Sequence, residues 1–412
     1  MRQFGLLGGR LSHSFSPMIH AELGDYKYNL YEKTPEELDG FFKICDFDGL
    51  NVTIPYKQAV IKYCGSLSET ARAAGSVNTI TKLENGVLHG DTTDCFGFDY
   101  LLKKTKIKTG VDPAIDKTVI LGSGGSSLTV QTALKNAGAK EIIVISRSGA
   151  DNYNNIANHG DAVLLINTTP VGMYPNNGVS PLEDFGVFKN CKAVIDLIYN
   201  PPRTKLLFQA EERGIFGTDG LAMLVAQAKS SAERFTRTAI PDEKIESIAS
   251  KIARLTKNII LIGMPGCGKS SVGAALAEKT GRRFADADEW VANKAGKSIP
   301  DIFAADGEDA FRKIETGALE ELCKQSGLII ATGGGIVKRR ENKNIIRQNG
   351  IIIFLDRDIS ELPVSGRPLS EKSGVEKLAA ERIKFYSEWS DYKIKVRGVE
   401  QTAADIYNIT CV

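Results

Sequence analysis

A chain of 412 residues is too long for one comfortable hydrophobic core and predicts two or three domains. With 42% hydrophobic and 25% charged residues and a formal net charge of +2, its balance gives no reason to expect a nucleic acid or a membrane as partner. Seven scattered cysteines without a C-x-x-C pair, and four histidines without ligand spacing, argue against structural zinc and for a reducing, cytoplasmic setting. No apolar run approaches the roughly 18 residues of a membrane span. The opening Met1-Arg-Gln-Phe-Gly-Leu-Leu-Gly-Gly reads as strand and turn, not as a secretory leader.

Short strands are expected at 4–8 and 49–54, with helices at 36–44 and 58–63. A second α/β rhythm follows, with β-rich runs at 118–121, 142–145, 163–166 and 193–196, spaced as βαβ units of a parallel sheet. Residues 221–235 and 241–255 carry helical apolar faces, the latter through Ile245, Ile248 and Ile252. A third α/β unit starts at Lys257 after a short hinge near Leu255-Thr256.

Two glycine turns stand out. Val119-Ile-Leu-Gly122-Ser-Gly124-Gly125-Ser-Ser runs from a strand into a helix, with Ser127 in place of the third glycine of the dinucleotide pattern. Its context suits a pyrophosphate at a helix N-terminus. The next strand ends in Ser146-Arg147. An acid there would hold the ribose 2′-hydroxyl of NAD, whereas an arginine favours a 2′-phosphate and hence NADP. A solvated arginine at a strand end is an equally good reading of those residues alone. The second turn, Gly263-Met-Pro-Gly-Cys-Gly-Lys269-Ser270, fits the phosphate loop at every fixed position, between a strand at 258–262 and a helix from Ser271 to Thr280. Backbone N–H groups there would cradle phosphates, with Lys269 on the β/γ phosphates and the Ser270 hydroxyl on magnesium.

Ahead of the first glycine turn come Ser12-His-Ser14-Phe-Ser16-Pro17, Asn51-Val-Thr53-Ile-Pro55-Tyr-Lys57, Gly75-Ser-Val-Asn78-Thr79 and Gly90-Asp91-Thr-Thr-Asp94. Behind it come Asn167-Thr-Thr-Pro-Val-Gly-Met173, Asp196-Leu-Ile-Tyr199-Asn-Pro and Asp219-Gly-Leu-Ala-Met-Leu-Val-Ala-Gln227. Over residues 1–255 these segments closely resemble shikimate dehydrogenase. The resemblance implies a substrate domain (about 1–100 and 221–255) and a Rossmann NADP domain (about 101–220). It also implies that Ser14, Ser16, Thr53, Asn78, Tyr199 and Gln227 bind shikimate or 3-dehydroshikimate, with Lys57 and Asp94 as the catalytic pair. Reducing a ketone builds alkoxide charge, and Lys57 suits the proton donor that this needs. Gly122, Gly124, Gly125, Ser126 and Arg147 match the family's cofactor loop, with Thr168 and Gly220 at its other cofactor segments. Where the family often has a second arginine, this chain has Asp151, so NADP preference rests largely on Arg147.

After the phosphate loop come Phe284-Ala-Asp286-Ala-Asp288, Phe311-Arg312-Lys-Ile-Glu315, Leu328-Ile-Ile-Ala-Thr-Gly333-Gly334-Gly335, Gly366-Arg367-Pro368-Leu369 and Glu381-Arg382-Ile-Lys-Phe-Tyr386. In that order they resemble shikimate kinase over 256–412, which implies a P-loop fold with a parallel sheet. By that resemblance Asp288, Arg312, Arg382 and the turn Gly333, Gly334, Gly335 bind shikimate, and Asp288 is the base. ATP would lie on Gly266, Cys267, Gly268, Lys269, Ser270, Ser271 and Arg367, with Gln401 near the adenine, and Ser270 and Asp286 would hold Mg2+. The lid departs from the family: 362–366 is short and Ser370 replaces a leucine, so ATP hydrolysis without acceptor is expected to be less suppressed. The chain thus reads as an α/β bifunctional enzyme. One half would reduce 3-dehydroshikimate with NADPH and the other phosphorylate shikimate with ATP and magnesium. A first half acting on quinate with NAD, and one half serving as a non-catalytic binding or regulatory module, are the alternatives. Oligomeric state has no signature in the sequence.

Overall fold

The computed structural model describes residues 2–12, 14–362 and 374–411. Its chain divides into two compact units, Met1–Ile252 and Ala253–Val412. The expected lid residues 363–366, Arg367 and Ser370 lie outside the described residues.

Among the described residues, unit 1 holds two sheets. The first contains β1 (Gln3–Gly8), β2 (Lys27–Glu32), β3 (Gly49–Val52), β4 (Ser66–Leu67), β5 (Thr79–Lys82) and β6 (Leu88–Asp91), in the order β2-β1-β3-β5-β6-β4. β1 lies parallel to β2 and β3, whereas β5 runs antiparallel to β3 and β6. The strand expected to reach residue 54 stops at Val52 because Thr53 turns the chain, its carbonyl accepting from Tyr56 N–H at 2.9 Å. Pro55, inside that turn, has no N–H to continue a ladder. The stretch expected as a helix at 58–63 is a single 3-10 turn, Ala59–Tyr63, and the helix expected from residue 36 begins at Leu38 after a 3-10 turn capped by Thr34 and Glu37.

The second sheet contains β7 (Thr118–Leu121), β8 (Ile142–Ile145), β9 (Leu164–Asn167), β10 (Ala193–Asp196) and β11 (Phe216–Thr218). All pairs are parallel, in the order β11-β10-β9-β7-β8. β7, β9 and β10 are buried throughout, as expected where helices cover both faces of a parallel sheet. The chain leaves β7 first to one side and then to the other, so the crevice at the carboxyl ends of β7 and β9 is the switch point at which ligands bind in such sheets.

Unit 2 is built on β12 (Asn258–Ile262), β13 (Phe284–Asp286), β14 (Ile329–Ala331), β15 (Gly350–Asp356) and β16 (Tyr392–Lys395). They form one parallel sheet in the order β13-β14-β12-β15-β16. Ile259, Ile260, Leu261 and Ile262 are buried at its centre with Ile329, Ile330, Ile352 and Ile353. The helix Glu243–Thr256 continues through the residues expected as a hinge, leaving Lys257 alone before β12.

Candidate active sites

In unit 1 the polar segments converge around Asn78. Its amide nitrogen donates to Asp94 Oδ1 (2.8 Å), Thr93 Oγ1 (3.1 Å) and Gln227 Oε1 (3.2 Å), and its oxygen accepts from Thr93 N–H (2.7 Å). The other Asp94 oxygen receives the Lys57 ammonium at 2.5 Å. Lys57 is placed by its own backbone, whose carbonyl accepts from Val77 N–H at 2.8 Å. Asp94 opens the helix Asp94–Thr109 and is 8% exposed, while Lys57 is half-buried. The result is an ammonium fixed by one buried carboxylate at the rim of an amide and hydroxyl cluster. Thr53 lies in the turn after β3, next to this rim in sequence. On another side, Ser16 N–H donates to Ser14 Oγ (3.2 Å), and the intervening Phe15 packs its ring against Tyr199 (5.3 Å between centroids). Contact between those rings joins the serine segment to the Tyr199 segment.

A layer behind this cluster has no counterpart in the sequence reading. Asn51 donates to Ser231 Oγ (2.7 Å) and accepts from Tyr28 OH (2.8 Å), and Ser231 reaches Thr93 Oγ1 (3.0 Å). Buried polar groups are costly unless paired, and here each pairs with the next. One signal existed: Ser231 sits four residues after Gln227, on the same helical face.

The first glycine turn sits at the crevice of the second sheet. Gly122 has φ +102°, and a Cβ on it would meet Thr169 Cγ2 at 2.8 Å and Thr168 Oγ1 at 2.9 Å, so the position requires glycine. Thr168 donates its N–H (2.9 Å) and hydroxyl (2.8 Å) to the Leu121 carbonyl. Gly124 and Gly125 have nothing within 4 Å of a built Cβ, and Ser126 is exposed beside them at the start of the helix Gly125–Asn136. This is an open cradle at a helix N-terminus, suited to a pyrophosphate. Ser127, the departure from the pattern, is buried, and its hydroxyl accepts from Gln131 (3.1 Å). Arg147 is exposed just beyond β8. Gly220 presses against the Leu197 backbone and caps the helix Leu221–Thr236, so packing alone accounts for a glycine there.

Nearby, Asp196 is fully buried and accepts from Asn167 (2.9 Å) and Thr204 (2.7 Å). Burial pushes its carboxyl up to about 6 against the pull of those donors. It holds Asn167, which in turn accepts from Thr169 N–H at 3.0 Å and so shapes the turn beside Gly122.

In unit 2 a cleft of about 1090 Å³ opens at the carboxyl end of β12. The phosphate loop, Asp286, Asp288, Arg312, Gly333, Gly334, Gly335 and Arg382 all line it. Gly268, at φ +105°, caps the helix Lys269–Thr280. Lys269 is 8% exposed, its ammonium donating to the Gly263 and Met264 carbonyls at 3.0 Å each. Cys267 is buried under the loop, its sulfur 3.9 Å from that ammonium. Asp286 serves two elements: Oδ1 accepts from Asp288 N–H (2.9 Å) and Oδ2 from the Ser270 hydroxyl (2.6 Å). β13 stops at Asp286, and Asp288 occupies the first turn of the helix Ala287–Ala295. Burial and the Asp286 charge hold its carboxyl above the usual range, while Lys269 and Arg312 oppose them.

Arg312 and Arg382 differ sharply. Arg312 is enclosed by carboxylates, pairing with Glu315 (2.7 Å) and Glu308 (3.2 Å). Arg382 is 2% exposed and donates through Nη1 to the Gly334 carbonyl at 3.0 Å. Its Nε and Nη2 have no hydrogen-bond partner among the described residues. A buried guanidinium with two unused donors is a ready seat for a carboxylate. Gln401 does not line the cleft. It lies on the exposed face of the helix Val399–Thr410 and donates to Asp405, one turn on, at 2.9 Å. Val396, Arg397 and Gly398 of the preceding loop, Val399 at the helix start and Arg357 line the cleft instead, and none of them stood out in the sequence.

Ser270 and Asp286 bring a hydroxyl and a carboxylate oxygen together at the phosphate loop, hard donors that fit magnesium, which takes one or two protein ligands and completes its shell with phosphate and water. No cluster of three or more His, Cys, Asp or Glu side chains with metal-ligand geometry occurs among the described residues. No helix among them is long and apolar enough to cross a membrane.

Comparison with known proteins gives these sites a family. A family model for the shikimate dehydrogenase substrate binding domain matches residues 6–80, and one for shikimate kinase matches residues 265–409. Shikimate dehydrogenase (NADP(+)) from Methanopyrus kandleri is 36% identical over 269 residues, covering 58% of this chain and 91% of that protein. A chorismate mutase/shikimate 5-dehydrogenase fusion protein from Clostridium acetobutylicum is similar in structure, with TM-score 0.56 and 35% identity over 61% of this chain and 97% of that one. Shikimate 5-dehydrogenase from Thermus thermophilus, solved with NADP(H) and shikimate, gives TM-score 0.54 and 30% identity over 61% of this chain and 99% of that one. Through its N-terminal part the chain belongs to the shikimate dehydrogenase family, and a shikimate kinase domain follows in the same polypeptide.

Proposed function

We propose that the chain catalyses two consecutive reactions: NADPH-dependent reduction of 3-dehydroshikimate to shikimate, and phosphorylation of shikimate at its 3-hydroxyl by ATP with magnesium. The observation that carries this reading is that each unit combines a phosphate-binding glycine turn with a separate polar site of matching chemistry. Unit 1 offers the Lys57–Asp94 pair beside its amide cluster, and unit 2 offers Asp288 with the two arginines.

In unit 1 the Gly122–Ser126 turn would hold NADPH, which would supply the hydride for the ketone carbon. Lys57 delivers the proton to the developing alkoxide, and Asp94 keeps the ammonium aimed. Asn78, Thr53, Gln227, Tyr199, Ser14 and Ser16 bind the hydroxyls and carboxylate of the substrate. Gly122, Gly124, Gly125, Ser126, Thr168 and Gly220 shape the cofactor channel, and Arg147 receives the 2′-phosphate.

In unit 2, Ser270 and Asp286 would hold magnesium, which would neutralise charge on the phosphates. Lys269 would neutralise charge on the transferring phosphoryl group, where positioning and electrostatics do most of the work. Asp288 takes the proton of the attacking hydroxyl, and its raised pKa brings it nearer the working pH of a general base. Arg382 binds the carboxylate, with Arg312 beside it, and the Gly333–Gly335 turn frames the ring. Small molecules are the partners this chemistry requires, and a cytoplasmic setting fits the reduced thiols and the cofactors.

The test is a coupled assay on the purified full chain with 3-dehydroshikimate, NADPH, ATP and magnesium. Shikimate 3-phosphate is the expected product. Shikimate accumulating without phosphorylation removes the second activity, and quinate turned over faster than shikimate with NAD removes the first as stated.

A further inference from the structure

The loop after β8 returns an acid to a strand end that the linear order leaves without one. Gly122 N–H donates to the Ile145 carbonyl at 2.8 Å, which sets the glycine turn beside the end of β8. From there the chain doubles back. Gly149 N–H donates to Ser146 Oγ (2.8 Å), and Ser146 N–H donates to the Asp151 carbonyl (3.1 Å). Ser146 and Asn152 form a parallel bridge. The Asn155 amide donates to Ala150 O (2.8 Å) and the Asn152 amide to Gly149 O (3.1 Å), which ties the turn down.

Asp151 therefore stands next to Ser146 in space, although a whole turn of chain separates them in sequence. Its Oδ1 meets His159 Nε2 at 2.8 Å, while 41% of the side chain remains exposed. His159 is 13% exposed in its side chain and so has little room to move. Arg147 is exposed on the same turn. The turn at the end of β8 thus carries an exposed guanidinium, which suits a ribose 2′-phosphate, and a part-exposed carboxylate held by His159, which suits a ribose 2′-hydroxyl and repels a phosphate.

We propose that Asp151 is a second cofactor-selecting residue, accepting from a ribose 2′-hydroxyl so that the dehydrogenase site uses NAD(H) as well as NADP(H), with His159 as its positioning residue. The inference rests on the assignment of the Gly122–Ser126 turn as the cofactor site. It goes beyond that assignment by giving the 2′ position two opposed recognition groups.

The experiment measures shikimate oxidation by the full chain, with NAD+ and NADP+ varied separately, for the wild type and for Asp151→Asn, His159→Gln, His159→Leu and Arg147→Ala. Wild type is expected to turn over both cofactors. Asp151→Asn should lower kcat/KM for NAD+ about tenfold through KM, the order of one hydrogen bond to a charged group, and leave or raise that for NADP+. His159→Leu should move the ratio the same way, whereas His159→Gln, which keeps a donor toward Asp151, should preserve it. A merely structural histidine would affect both cofactors alike. No detectable NAD+ turnover by wild type, or an Asp151→Asn effect that is absent or equal for both cofactors, overturns the proposal. If Arg147→Ala still weakens NADP+ selectively in that case, the cofactor site itself stands. If neither variant changes either cofactor, the assignment of the site falls too.

Discussion

The two glycine turns are built on the same hinge and finished differently. In each, a threonine after the neighbouring strand clamps the end of the central strand. Thr168 donates N–H and hydroxyl to Leu121 O (2.9 and 2.8 Å), and Thr332 does the same to Leu261 O (3.2 and 2.9 Å). Beyond the clamp they part. Around Gly124 and Gly125 a built Cβ meets nothing within 4 Å. In unit 2, a Cβ on Gly263 would lie 2.7 Å from Leu355 O, and one on Gly334 would lie 2.7 Å from Pro265. A Cβ on Gly335 would collide with the Arg312 guanidinium. An open turn lets a long dinucleotide lie across it. In unit 2 the close approach of Gly334 to Pro265 packs the Gly333–Gly335 turn directly against the phosphate loop, whereas Gly124 and Gly125 leave the start of their helix open.

Changes at these sites should separate the two units. Lys57→Ala removes the proposed proton donor and is expected to lower the dehydrogenase kcat by roughly 10²- to 10⁴-fold, with kinase turnover unchanged. A parallel loss of kinase rate would mean the damage is to folding. Gly335→Ala should cost the kinase about 100-fold in kcat/KM for shikimate, since the methyl must displace a guanidinium already fixed by two carboxylates. Its counterpart Gly124→Ala should leave thermal stability unchanged and raise the cofactor KM by less than about tenfold, because only the space for the ligand is touched. The opposite ranking would end the contrast between packed and open turns.

The arginines sharpen the same contrast within unit 2. Arg382→Met should raise the kinase KM for shikimate by roughly 10- to 100-fold, the value of charge-assisted hydrogen bonds to a carboxylate. Arg312→Met should instead show first in stability, by about 3 kcal/mol in chemical denaturation of unit 2, because it strands the buried Glu315 carboxylate. Equal effects of both variants on KM, with no loss of stability, would erase the distinction.

The smallest effect is a pH limb. Asp288 must be ionised to act as a base, and its pKa is raised above the ordinary aspartate value of about 3.9. Kinase kcat/KM should therefore fall as pH decreases through that raised value, earlier than for an exposed aspartate. A profile flat down to about pH 4 would contradict it.

Much of this was legible because the chemistry is written in contiguous runs. The phosphate loop, the glycine turn and the strands at 118–121, 142–145 and 193–196 carry their own periodicity and turn residues, so β7, β8 and β10 appear where the sequence predicts. Less was legible at 58–63, where a helical composition is too short to nucleate more than a 3-10 turn. Nor does the sequence reveal that the Gln401 side chain pairs with Asp405, one turn along the exposed face of its helix.

By itself, then, the sequence determined two α/β units, two glycine turns between strand and helix, and the identity of most polar residues near them. Only the tertiary structure decided which of those polar groups are already spent. Arg312 and Arg382 look alike in the sequence, yet one is enclosed by Glu308 and Glu315 and the other keeps two buried donor nitrogens without a partner among the described residues. Asp151 reads in the sequence only as the residue standing where the family often has a second arginine, yet a turn closed by Ser146 brings it back beside the end of β8, held by a histidine eight residues on. The physical reason is the same in both cases. Hydrogen-bond partners and burial are properties of groups brought together across the chain, and no local pattern records them.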